Sequence, residues 1–154
     1  MKKKVFIMSK APFQGIIKNR LSKEIGYRKS KRLVTKDIEK VNKIFLHKKK
    51  EYSLSWFLLN CQKFRTYSFT IIEDTILQPK GNLGHKIWNL LKIQDSSSII
   101  VGTDIPSLNI IAISLAFKKL KTSDIVIGPT YDGVFWLIGH STKKKHLNPF
   151  NNIR

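Results

Sequence analysis

The stretch Ser98-Ile99-Ile100-Val101-Gly102-Thr103-Asp104-Ile105-Pro106 decides how the rest of the chain is read. Its first five residues centre on the short apolar run Ile99-Ile100-Val101, the signature of a strand buried on both faces of a sheet. An acid then stands at the strand's carboxyl end, closed off by a proline. Stability alone explains such an acid poorly. A carboxylate there suits Mg²⁺, which keeps several waters and bridges phosphate oxygens, so Asp104 is a candidate metal or substrate ligand. The structural alternative is a helix cap.

Working outward, the same alternation recurs. Downstream, Pro106-Ser107 opens a helix expected to reach Leu120, with Ser107 as its N-cap. Residues 124–128 read as a fifth strand, and a glycine-rich turn leads to a sixth at 135–138. Upstream, residues 4–8 read as the first strand, followed by a loop with Pro12 and Gly15. Val34, Ile38, Val41 and Phe45 fall on one face of a helix over residues 28–49. Residues 53–59 and 69–72 read as the second and third strands. Leu83, Ile87, Leu90 and Leu91 mark a short amphipathic helix. Strands alternating with helices predict an α/β fold, a mainly parallel sheet covered on both faces. In such sheets ligands gather at the carboxyl ends of the strands, where the strand order reverses.

Three more segments place unusual residues at those ends. Ala11-Pro-Phe-Gln-Gly15 can bring backbone N–H groups close to an anion, while Lys18 and Arg20 add positive charge. This arrangement suits a pyrophosphate or triphosphate; an ordinary loop with surface bases is the alternative, since the Walker and dinucleotide fingerprints are both absent. Gly81-Asn-Leu-Gly84 precedes a helix and reads either as a site for a flat ligand or anion or as a plain tight turn. In Gly128-Pro-Thr-Tyr-Asp-Gly133, Asp132 is a candidate second metal contact or general base at an acceptor pocket walled by Phe135 and Trp136, or else part of an Asp-Gly hairpin turn.

The bulk properties set limits. The 154 residues fit one domain, 1–154, with no internal repeat. No apolar run approaches the roughly 18 residues of a membrane span. The single cysteine, Cys61, rules out an intramolecular disulfide and fits a reducing, cytoplasmic setting. His47, His85, His140 and His146 lack metal-ligand spacing. Lys and Arg total 29 against 10 acids, a formal charge of +19. The bases are mostly Lys, spread over the chain and not interleaved with aromatics, so specific nucleic-acid recognition is not expected and a solvated basic surface is.

Taken in order, Ser9–Leu21, Gln78–Gly84, Gly102–Leu108 and Gly128–Gly139 resemble a bacterial family of glycosyltransferase-A type. Its members are labelled as a domain of unknown function or as arsenosugar-biosynthesis glycosyltransferases, and it is distantly similar to phospholactate and molybdenum-cofactor guanylyltransferases. The resemblance implies a three-layer α/β/α nucleotide-diphospho-sugar transferase fold and a transferase that uses a nucleotide-sugar donor, a small-molecule acceptor and Mg²⁺ (or Mn²⁺). The alternatives are a nucleotidyltransferase acting on a phosphorylated acceptor, or an inactive nucleotide-binding remnant. By the same resemblance, Ala11, Pro12, Gly15, Lys18 and Arg20 would serve the donor phosphates, and Gly81 and Gly84 the base or ribose. Asp104 would hold the metal, joined by Asp132, the candidate catalytic residue, while Gly133 and Trp136 would face the acceptor. The chain departs from the family pattern at Asn19, Asn82 and Val134. Relatives continue past the point matching Arg154 with a further strand and helix, so a C-terminally shortened domain is expected.

Overall fold

Val5, Phe6 and Ile7 cannot all point to one side of a strand, yet none is more than 3% exposed. They must therefore be covered from both faces, which makes their strand central. The computed structural model describes residues 2–9, 19–59, 74–142 and 148–151, and in it strand β1 (Lys3–Ser9) lies between two parallel neighbours. One is β2 (Tyr52–Leu59), which in turn pairs with β3 (Asp74–Gln78); the other is β4 (Ser98–Gly102). Strand β6 (Phe135–His140) runs antiparallel between β4 and β5 (Ile125–Pro129), giving the order β3-β2-β1-β4-β6-β5. The sheet is thus mainly parallel with one reversed strand.

Helices close both faces. Helix α1 (Asn19–Ile25) is short and leads into α2 (Tyr27–Phe45), whose buried stripe Val34, Ile38, Val41 and Phe45 is the one the spacing predicts. Helix α2 and α4 (Ile110–Lys119) cover one face, where Val5, Ile7, Trp56, Ile99 and Val101 point. Helix α3 (Leu83–Leu91) covers the other, against Phe6, Phe57, Ile100 and Ile138. Burying each such side chain stabilises the fold by roughly 1.5–3 kcal/mol before entropy is counted.

Two expectations change in detail, and a third falls outside the described residues. Helix α2 stops at Phe45 and continues only as a tight turn over Leu46–Lys48. The third strand expected at 69–72 lies outside the described residues; the described one is Asp74–Gln78. Ser107 is not the cap of α4. Asn109 is, its side-chain oxygen accepting from the Ala112 N–H at 2.9 Å. The chain makes a turn first, the Leu108 N–H donating to the Ile105 carbonyl, so the helix starts two residues later than Ser107 would place it. No helix among the described residues is long and apolar enough to cross a membrane.

Candidate functional site

The sheet order reverses between β1 and β4: the chain leaves β1 toward β2 and β3, and leaves β4 toward the opposite edge. Crossover connections diverge at such a point and leave a crevice at the carboxyl ends of the two strands. A cleft of about 200 Å³ lies there, lined by Met8 from the end of β1, Gly102 and Asp104 from the end of β4, and Phe135 and Trp136 from the start of β6. Leu83 and Ile87 of α3 close it from the side. A larger cavity of about 440 Å³ adjoins it, sharing Leu83 and Phe135 and lined also by Asn82, Gly84, His85 and Phe150.

Each wall has a local cause. The Gln78 side chain is buried and its Nε2 donates to the Phe57 carbonyl at 2.9 Å, tying the end of β3, from which the chain turns toward α3, to β2. Gly81 has φ +126°, a conformation that side-chain-bearing residues rarely adopt, and a Cβ there would lie 2.9 Å from the His85 ring. Asn82 then caps α3, its oxygen accepting from the His85 N–H at 2.8 Å. An aspartate would cap equally well, so the departure at Asn82 leaves this role intact. Gly84 admits Phe150, which a Cβ would meet at 2.9 Å. Phe150 in turn lies 6.3 Å from the Phe135 ring, which brings the segment 148–151 into the cavity wall.

Asp104 is exposed on the cleft rim, with its Oδ1 only 3.2 Å from where a Cβ on Gly102 would sit. Two contacts steady the loop around it. The Lys40 ammonium on α2 donates to the carbonyls of Ile105 and Pro106, and the buried Thr103 hydroxyl donates to the Ser9 hydroxyl at 3.4 Å.

The structure brings Asp104 and Trp136 to one cleft and Gly84 to its neighbour. Gly81 shapes the turn without lining either. Asp132 and Gly133 sit in the exposed β5–β6 turn, where the Gly133 N–H donates to the Thr130 carbonyl, and neither lines either of these two cavities. The hairpin geometry expected of an Asp-Gly pair is therefore present there. Ala11, Pro12, Gly15 and Lys18 lie outside the described residues, and Arg20 falls in α1. The residues that reading by motif missed are Met8, Leu83, His85 and Phe150 in the walls and Lys40 behind Asp104. The spacing puts Leu83 with the apolar stripe of the helix, yet it is 49% exposed because it faces the cavities.

The Thr130 hydroxyl donates to the Asp132 carboxylate and holds its pKa below the usual aspartate value. A depressed carboxyl pKa contributes stability at pH above the unfolded value and loses it as pH falls through the folded one. Thr130→Val is expected to raise the Asp132 pKa toward the ordinary value, as read by carboxyl-carbon NMR titration. An unchanged titration would mean the hydroxyl does not hold the carboxylate.

No group of three His, Cys, Asp or Glu side chains that would hold a metal exists among the described residues. A cage made wholly of protein is thus absent from them. What Asp104 fits is the other mode of Mg²⁺ binding, one or two carboxylates completed by water and donor phosphate.

The comparisons agree with this architecture. The whole chain superposes on 70% of a solved structure from Desulfovibrio desulfuricans G20, described as a "putative nucleotide-diphospho-sugar transferase", with a TM-score of 0.84 and 20% identity. The fold is therefore the three-layer, glycosyltransferase-A-like one of that structure. The family is shown as well: residues 59–154 match the family described as "Uncharacterized protein conserved in bacteria (DUF2064)", and the chain belongs to it. No curated protein matches the chain.

Proposed function

We propose that the protein is a transferase that takes a nucleotide-sugar donor at the β1–β4 crevice and passes the sugar to a small acceptor. The observation that carries this reading is the position of Asp104. It stands at the switch point of a parallel sheet, on the rim of a cleft walled by an aromatic pair and the start of α3. The similarity to the solved structure named a nucleotide-diphospho-sugar transferase supports the donor class.

In this reading Asp104 holds a divalent cation, which when bound neutralises charge on the donor pyrophosphate. By the family resemblance, Lys18 and Arg20 would add positive charge to the same phosphates, and Ala11, Pro12 and Gly15 would serve the nucleotide. Gly84 borders the donor, in the cavity beside His85. Trp136 offers an apolar wall against which an acceptor ring packs, and the family resemblance makes Asp132, on the exposed turn between β5 and β6, the candidate base for the acceptor. Catalysis is then positioning plus charge stabilisation of the leaving diphosphate.

The test is thermal stability against a panel of nucleotides and nucleotide sugars with and without Mg²⁺. A ligand that binds only the folded state raises the melting temperature with the logarithm of its concentration over Kd. One nucleotide sugar is expected to give a Mg²⁺-dependent shift that is lost in Asp104→Ala. Turnover of that compound should release a nucleoside diphosphate. Release of pyrophosphate from a nucleoside triphosphate would replace this reading with nucleotidyl transfer, and no shift with any compound would sink both.

A further inference from the structure

Helix α4 reads Ile-Ile-Ala-Ile-Ser-Leu-Ala-Phe-Lys-Lys and is apolar on nearly all sides. A helix of that kind belongs inside a protein, because a surface helix is expected to carry polar residues on its outer face. Here Ile113, Ala116 and Phe117 use up the inner face. Ile111 and Leu115, one turn apart, point away from the core and are 76% and 53% exposed. Beside α4 on the same face of the sheet lies α2, whose outer side is strongly basic. Its exposed residues include Arg32, Lys36 and Lys43, and Glu39 is the one exposed acid on the helix. None of these three bases makes an ion pair with the described residues. Lys118, at the end of α4, adds charge next to the aliphatic pair.

We propose that the outer face of α2 and α4 docks on an anionic lipid surface. Bases flanking an aliphatic ridge are the composition of an interfacial anchor: the bases are drawn to the negative headgroups and the aliphatics enter the acyl boundary. A second copy of the chain is disfavoured as occupant, since each copy carries a formal charge of +19 and would bring its own α2 bases to the contact. Nucleic acid would satisfy the bases but offers little to Ile111 and Leu115, and this face carries no exposed aromatic ridge for stacking. The face is separate from the cleft, so docking leaves the crevice between β1 and β4 open.

Vesicle flotation with the full chain tests the inference. Binding to phosphatidylcholine vesicles containing phosphatidylglycerol is expected to exceed binding to phosphatidylcholine alone by at least about tenfold at low salt. The double variant Ile111→Ser/Leu115→Ser should lose about tenfold or more of that binding, since each aliphatic contributes by burial. Arg32→Glu/Lys36→Glu should lose at least as much. All four positions are exposed, so circular dichroism and melting temperature should stay unchanged. Binding that is indifferent to the serine variant would overturn the proposal, leaving diffuse charge alone. So would tight binding of duplex DNA or single-stranded RNA in place of vesicles, or a dimer in sedimentation that the serine variant abolishes.

Discussion

Replacing Asp104 by Asn is expected to lower turnover of the donor by about a hundredfold to a thousandfold, the scale seen when one pre-organised electrostatic partner of a reacting group is removed. Asn has nearly the same shape, so the close approach to Gly102 survives while the negative charge goes. The loop also keeps its supports, because the Lys40 contacts are to the backbone carbonyls of Ile105 and Pro106 and not to the carboxylate. Asp104 is exposed, so the melting temperature without ligand should change by no more than a surface substitution usually causes, about 0.5 kcal/mol of stability. The Mg²⁺-dependent part of the donor-induced shift should vanish with the activity. A variant that turns over donor within twofold of the parent would remove Asp104 from the mechanism, and with it the central reason for placing the donor at this crevice.

The second large effect concerns stability. Phe45→Ala is expected to cost about 3–5 kcal/mol, as read by chemical denaturation. Phe45 is wholly buried, and its ring meets Tyr52 edge-on at 5.6 Å and 74°. Tyr52 in turn packs against Phe117 of α4, the rings tilted at 51° with centroids 6.0 Å apart. Three elements (the last turn of α2, the first residue of β2, and α4) therefore meet through one chain of rings. Removing the first ring leaves a cavity that the sheet cannot collapse into and also forfeits the aromatic pairing, worth about 0.5–1.5 kcal/mol. For a domain stabilised by roughly 5–15 kcal/mol in total, that is a large share. A loss below about 1 kcal/mol would mean that the end of α2 repacks freely.

Much of this was legible because periodicity is a local property. The stripe from Val34 to Phe45 repeats at helical spacing, and Ile99, Ile100 and Val101 form an unbroken apolar run; each predicts its element without knowledge of any partner. Capping was less legible. Ser107 and Asn109 are both good N-caps by type, and the choice fell to the turn that the Ile105 carbonyl closes with the Leu108 N–H. That turn depends on where β4 ends and α4 must pack, which no local pattern records. Leu83 failed for a related reason: its spacing matches the buried face of α3, yet the crevice opens beside it.

By itself, then, the sequence determined the alternation of strands and helices, the parallel character of the sheet and the placing of an acid at the end of a buried strand. Only the tertiary structure decided which of the motif residues share a site. It put Asp104 and Trp136 in one cleft with Met8, and Gly84 in the next with His85 and Phe150, while leaving Asp132 on an exposed turn. The reason is physical: hydrophobic period and turn chemistry act over a few residues, whereas the order β3-β2-β1-β4-β6-β5 brings together strand ends separated by tens of residues in the chain.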